Sequence, residues 1–144
     1  MTRDLRPLFE PRGVVVTGVS SHPGKFGFVT LHNLLSCEYQ GEVFAVGREE
    51  GTVLDQPVLA SIEMLPDGAA ELLVVCTPVS VNEEIIRAAA ARGVRAVFVA
   101  AGGYSETGDE GEAAEARLVA IANELGLVLA GPNGQGITSP PVGL

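Results

Sequence analysis

The residues best suited by type and spacing to do chemistry follow the first apolar run of the chain: Gly18-Val19-Ser20-Ser21-His22-Pro23-Gly24-Lys25-Phe26-Gly27. Glycines let backbone N–H groups approach an anion, serine hydroxyls can donate to its oxygens, and Lys25 brings a full positive charge. A helix starting here would add about half a positive charge at its N-terminus. The chemistry expected of Thr17, Gly18, Val19, Ser20, Pro23, Gly24 and Lys25 is therefore anion binding, of the kind a phosphate needs. The same glycines would also serve a tight turn and close helix packing. Their spacing is not the G-x-G-x-x-G of a dinucleotide fingerprint.

Other candidates lie at the ends of later apolar runs. The second run ends Val46-Gly47-Arg48-Glu49. An acidic residue at that point would take the ribose hydroxyls of NAD, whereas an arginine suits a phosphate on the ribose. NADP carries such a phosphate at the 2′ position and coenzyme A at the 3′ position. Arg48 comes first, Glu49 keeps NAD open, and a solvated surface arginine is the plain alternative. The third run ends in Thr77-Pro78 and the fourth in Val99-Ala100-Ala101-Gly102-Gly103-Tyr104, where small residues leave room for a ring or an extended arm. The fifth ends Gly131-Pro132-Asn133-Gly134-Gln135-Gly136, with Asn133 holding a turn or a ligand group. Catalytic groups are scarce. His22 reads as a solvent-facing loop residue and His32 as structural, and no Ser/His/Asp or metal set can be assembled. Cys76 reads as a small buried hydrophobe. The acidic stretch Glu106 to Glu115 reads as a solvated helix start. The expectation is a domain that binds, with no catalytic residue and no metal.

These loops need elements that bring them to one edge. Buried strands are predicted at Val14-Val15-Val16-Thr17, Leu72-Leu73-Val74-Val75-Cys76, Ala96-Val97-Phe98-Val99-Ala100 and Leu127-Val128-Leu129-Ala130, with a weaker one at Val43-Phe44-Ala45-Val46. Helical periods lie between them. Phe28, Leu31 and Leu35 form one stripe. Ser80-Val81-Asn82-Glu83 has capping-box spacing ahead of Ile85 and Ile86, with Gly93 as the stop. Asp109 and Glu112 have the same reciprocal spacing ahead of Leu118, Ile121 and Leu125, closed by Gly126. A short helical turn spans Ser61 to Leu65. The order β-α-β-α-β-α-β-α-β predicts an α/β, doubly wound parallel Rossmann-like sheet of five or slightly more strands, with helices on both faces. Ligands of such sheets bind beyond the carboxyl ends of the strands, where these loops converge.

The bulk properties narrow the function classes. The 144 residues suit one domain, able to bury roughly 70% of its unfolded surface without a staple. We divide them into a lead-in arm at 1–12, with Leu8 and Phe9 packed down, a domain at 13–136, and a linker at 137–144 toward a further domain. Cys37 and Cys76 lack the spacing of a zinc site or a disulfide framework, which points to a reducing compartment. The charged start and the lack of any apolar run near ~18 residues predict a soluble, cytoplasmic chain with no membrane partner. A net charge of −9 counts against nucleic acid, which wants a basic face. It also means that any phosphate must be held by local donors against the overall field.

In order along the chain, Leu8-Phe9-Glu10-Pro11-Arg12-Gly13-Val14-Val15-Val16-Thr17-Gly18, Pro23-Gly24-Lys25-Phe26-Gly27, Thr77-Pro78, Ala101-Gly102-Gly103-Tyr104 with Gly108-Asp109-Glu110-Gly111, and Gly131-Pro132-Asn133-Gly134-Gln135-Gly136 resemble the CoA-binding domain of NDP-forming acyl-CoA synthetases, relatives of the succinyl-CoA synthetase α subunit. The likeness runs from about Leu5 to Pro140. It implies that Thr17 to Ser20 with Lys25 take CoA phosphates, and that Thr77-Pro78 and Val99 to Ala101 line the adenosine and pantetheine path. Two departures stand out. The family often has Asn-Pro-Lys after the second strand, where this chain has Gly47-Arg48-Glu49, so Arg48 would have to substitute from one position earlier. Its Gly-Pro-Asn-Cys is Gly131-Pro132-Asn133-Gly134 here. The resemblance further implies a parent that makes acyl-CoA from an acid, CoA and a nucleoside triphosphate through acyl phosphate and phosphohistidine, with following domains or a subunit as partners. Some relatives carry a protein acetyltransferase domain instead. Two other readings remain: an NAD(P)-binding Rossmann domain of an oxidoreductase or redox-sensing regulator, and a docking or regulatory surface that kept only the fold.

Overall fold

The computed structural model describes residues 2–144. Seven strands form one sheet: β1 (Gly13–Thr17), β2 (Glu42–Val46), β3 (Thr52–Val53), β4 (Gln56–Leu59), β5 (Leu72–Val75), β6 (Ala96–Val99) and β7 (Val128–Ala130). Their order is β3-β4-β2-β1-β5-β6-β7. Every neighbouring pair is parallel except the β3–β4 hairpin. Helices are α1 (Arg6–Phe9), α2 (Phe26–Ser36), α3 (Val79–Ala91) and α4 (Asp109–Glu124). The doubly wound α/β fold expected from the alternation is present.

The central strands β1, β5 and β6 are buried along their whole length because both faces are covered. Val15, Leu73, Val75, Val97 and Val99 pack against Ile86 and Ala89 of α3 and Leu118 and Ile121 of α4. Val14, Val16, Leu72, Val74 and Phe98 face the other way, toward Leu31 and Leu34 of α2 and Leu8 of α1. Val14, Val15 and Val16 are wholly inaccessible, which is why β1 cannot show a polar alternation.

The structure differs from the expected elements in four places. β3 and β4 are additional strands, joined by Leu54 and Asp55 at φ 51° and 63°. A two-residue hairpin wants that backbone, but Leu-Asp carries no Asn-Gly signal, and Pro57 inside β4 argues against a strand. Neither capping box forms: Pro78 is the N-cap of α3 and Gly108 that of α4, so Ser80 and Asp109 sit inside their first turns. Gly93 and Gly126 do stop their helices in the left-handed region, at φ 97° and 67°. In the arm, Leu8 is buried but Phe9 is 40% exposed, because the single turn of α1 points only one of them inward. The strand before Cys76 ends at Val75, and the one before Ala100 ends at Val99.

The last residues return to the domain. Gln40 N–H donates to the Val142 carbonyl at 3.0 Å, and Ile137 and Leu144 pack on the α2 side of the sheet. Among the described residues no helix is long and apolar enough to cross a membrane.

The amino edge of the sheet is held by Glu71, which accepts the Arg12 N–H at 2.9 Å and its guanidinium at 2.8 Å. The Arg12 side chain is mostly solvent-exposed while Glu71 is largely buried. The hydrogen bond from Arg12 holds the Glu71 carboxyl below its ordinary value of 4.5. A carboxyl whose folded value is lowered adds stability above its unfolded value, and loses that stability as pH falls through the folded value. Glu71→Gln should therefore be less stable than the parent by about 1–2 kcal/mol at pH 7, the exposed arginine keeping the figure low. Urea unfolding should show the gap closing below pH 4.5; a gap that stays constant with pH would contradict the assignment.

Candidate functional site

The connection from β1 runs toward β2 and that from β5 runs toward β6, so their loops part and leave a crevice at the carboxyl edge. The β1 loop forms one wall. Gly18 is at φ 73°, and a Cβ there would lie 2.7 Å from the Cys76 carbonyl. A Cβ on Gly27 would lie 2.2 Å from the Gly18 carbonyl, so the first turn of α2 sits directly on the end of β1. Lys25 is the N-cap of α2 in an extended conformation, and no side chain caps that turn. The early N–H groups of α2 are thus left to face an anion.

The loop holds its own shape. His22 is exposed, as expected, but its Nδ1 accepts the Gly24 N–H at 3.0 Å, its N–H donates to the Ser20 hydroxyl at 3.3 Å, and its carbonyl accepts the Lys25 N–H at 3.0 Å. Val19 is buried and donates its N–H to the Val46 carbonyl at 3.1 Å. Ser21 donates its N–H to the Glu49 carboxylate at 3.0 Å. Pro23, Gly24, Lys25 and Arg48 are all exposed. Neither Lys25 nor Arg48 has a carboxylate within 4.0 Å among the described residues.

Beneath the crevice runs a line of polar groups. The Thr17 hydroxyl lies 3.4 Å from both the Val74 carbonyl and the Thr77 hydroxyl. Thr77 donates to Asn82 Oδ1 at 2.7 Å, and Asn82 Nδ2 donates to the Tyr104 hydroxyl at 3.0 Å. Asn82 and Tyr104 are buried, at 1% and 2% exposure, and burial pushes the Tyr104 hydroxyl's pKa up. The line ties the ends of β1 and β5 to α3 and to the loop after β6. By spacing alone Asn82 belongs only to a capping box. A signal was present, since Asn82 shares a helical stripe with Ile86 and Ala89, and a polar group on such a stripe must find a partner.

The far wall comes from β6 and β7. The Glu106 carboxylate accepts the N–H groups of Gly103 and Tyr104, and Glu115 accepts the Ser105 N–H at 3.1 Å. Those backbone donors, Gly103 first, hold the Glu106 carboxyl below the usual range. These two acids are loop anchors rather than a merely solvated helix start. Asn133, at φ 53°, donates its N–H to the Ala101 carbonyl at 3.0 Å, and Gly134 donates to the Val99 carbonyl at 3.2 Å. The Val99 side chain itself points into the core beside α3 and α4. Thr17 to Ser20, Thr77, Pro78, Ala101 and Asn133 thus gather at the crevice, with Lys25 and Arg48 on its rim.

The arrangement can hold an anion and an extended ligand. Among the described residues there is no group of His, Cys, Asp and Glu placed to hold a metal. Burial pushes the Cys76 thiol up to about 11, with its sulfur 3.7 Å from the Thr30 hydroxyl, so it is not poised as a nucleophile. Asn82→Ala should cost about 1–3 kcal/mol in chemical denaturation, because the Thr77 and Tyr104 hydroxyls lose their common partner. Tyr104→Phe should cost less, since one acceptor is removed together with its polar burden. Equal small losses would mean the line is not a coupled unit.

The fold is shared with known proteins. A family model described as a CoA binding domain matches residues 12–140. The α subunit of acetate–CoA ligase (ADP-forming) I from Pyrococcus furiosus is 30% identical over 97% of this chain and 31% of its own length. The α subunit of acetate–CoA ligase (ADP-forming) II from the same organism is 35% identical over 90% of this chain and 28% of its own. Among solved structures, a dinucleotide-forming acetyl-coenzyme A synthetase 1 from Ca. Korarchaeum cryptofilum, in complex with phosphate and ADP, superposes with a TM-score of 0.90 at 29% identity, covering 98% of this chain and 30% of that one. The chain spans less than a third of these relatives. On the family match and the shared fold together, it belongs to the CoA-binding domain family found in ADP-forming acyl-CoA synthetases.

Proposed function

We propose that the crevice binds coenzyme A, and that this domain, residues 13–136, supplies the CoA site of an NDP-forming acyl-CoA synthetase. The observation that carries the reading is the uncapped start of α2 pressed onto the end of β1 at the switch point, with Lys25 at its N-cap. In this reading the loop from Thr17 to Ser20 and the uncapped N–H groups at the start of α2 take the phosphates, and Lys25 adds charge from the rim. Arg48 takes the ribose phosphate. Thr77-Pro78 and Ala101 line the path of the adenosine and the pantetheine arm, and Asn133 closes its end.

The parent reaction would join an acid to CoA at the expense of a nucleoside triphosphate. This chain holds no histidine at the crevice placed to carry phosphate, since His22 shapes the loop and His32 stacks on Phe28 on the outer side of α2. Its part is to bind CoA and orient the arm, and the transfer chemistry falls to other domains or a partner subunit. The net charge of −9 fits a small ligand held by local donors better than nucleic acid. Two unpaired cysteines fit a reducing, cytoplasmic setting. A second reading, an NAD(P) site, draws on Glu49 at the end of β2.

Calorimetry with CoA, dephospho-CoA, NAD and NADP separates these readings. CoA should bind more tightly than NAD or NADP, and either dinucleotide binding as well as CoA would overturn the assignment. Lys25→Ala should weaken CoA by about 1–3 kcal/mol, as for loss of a charged hydrogen bond. An unchanged affinity would give the phosphate to the backbone alone.

A further inference from the structure

The end of β2 and the β1 loop are laced together. A Cβ on Gly47 would lie 2.2 Å from the Val19 carbonyl, and Val19 N–H bonds the Val46 carbonyl. From this junction Glu49 reaches across and accepts the Ser21 N–H at 3.0 Å. Its negative charge is thereby fixed inside the loop that faces the ligand's phosphates. No Lys or Arg lies within 4.0 Å of it among the described residues, so it makes no ion pair there.

We propose that Glu49 sets ligand preference at the adenosine end of the crevice, disfavouring a ribose that carries a phosphate and accommodating one with free hydroxyls. A ligand's adenosine ribose sits at the end of the second strand in a doubly wound sheet. A carboxylate there can accept hydrogen bonds from ribose hydroxyls, but it repels a phosphate dianion placed beside it. Glu49 also occupies the Ser21 N–H, so one donor of the loop is spent on the protein's own anion. Arg48 and Glu49 then act in opposition, the first attracting the ribose phosphate and the second limiting it. The inference rests on the reading that this loop takes the phosphates of a CoA-type ligand.

The test compares CoA with dephospho-CoA, which differ only in the ribose phosphate, by calorimetry at low salt. Glu49→Gln should raise the affinity for CoA about tenfold relative to dephospho-CoA, the effect of removing one unit charge at short range in a mixed dielectric. Glu49→Lys should raise it further, and the gain should shrink at high ionic strength. Glu50→Gln makes the same charge change one residue on and should leave the ratio within about twofold, because the Glu50 carboxylate is not held against the loop by the Ser21 N–H as that of Glu49 is. An unchanged ratio in both Glu49 variants overturns the inference while leaving the CoA site intact. An equal gain in Glu50→Gln also overturns it, because net charge alone would then explain the effect. If the parent chain binds neither ligand, the reading of the loop fails and this inference fails with it.

Discussion

Everything at the carboxyl edge depends on how closely α2 approaches the end of β1. Gly27 against the Gly18 carbonyl, and Gly18 against the Cys76 carbonyl, leave no space for a methyl group at either contact. Because β1 lies mid-sheet between β2 and β5, this one contact places the helix start over the switch point. No side chain caps the first turn of α2, so its N–H groups stay available to an outside anion. The loop then needs internal support, and His22 supplies it through Ser20, Gly24 and Lys25.

A helix start aimed at an anion works only if the opposite wall keeps its place. That wall is built from loops after β6 and β7, in which Ala100 and Tyr104 are buried. They are held by carboxylates on backbone N–H groups: Glu106 on Gly103 and Tyr104, and Glu115 on Ser105. Such charge-assisted bonds are stronger than neutral ones and suit a loop that must stay open and small. Underneath, Thr17, Thr77, Asn82 and Tyr104 join the two walls through buried hydroxyls and one amide. Each member has a partner, and no buried side-chain nitrogen or oxygen is left unpaired among the described residues. The site is therefore rigid where it meets the sheet and polar where it meets the ligand.

The fold was legible because its central strands are continuous apolar runs and its helices end at Gly93 and Gly126. The hairpin β3–β4 was not, since Leu54 and Asp55 adopt a left-handed backbone without the residues that usually announce it. The capping boxes failed for a related reason: spacing alone cannot distinguish an N-cap from a residue in the first turn. At the site, the loop from Gly18 to Lys25 was visible in its glycines and its lysine. The line through Asn82 and Tyr104 was hidden, because hydrogen bonds between residues 22 positions apart have no local pattern. The pairing of Ser21 with Glu49 was hidden likewise, although both residues lay in segments already singled out.

Overall charge and local charge act oppositely in this molecule. A net charge of −9 repels any polyphosphate at long range, but screening by salt confines that field to about 8–10 Å. Within the crevice the balance is set by few groups. Many carboxylates elsewhere are consumed by arginines or by loop amides: Glu71 by Arg12, Glu124 by Arg87, Asp67 by Arg92, and Glu106 by Gly103 and Tyr104. Lys25 and Arg48 are spared that pairing, and both stand on the rim. An acidic domain can thus present an anion site by tying its carboxylates down elsewhere, and Glu49, held beside that site by the Ser21 N–H, is the group best placed to choose among anions.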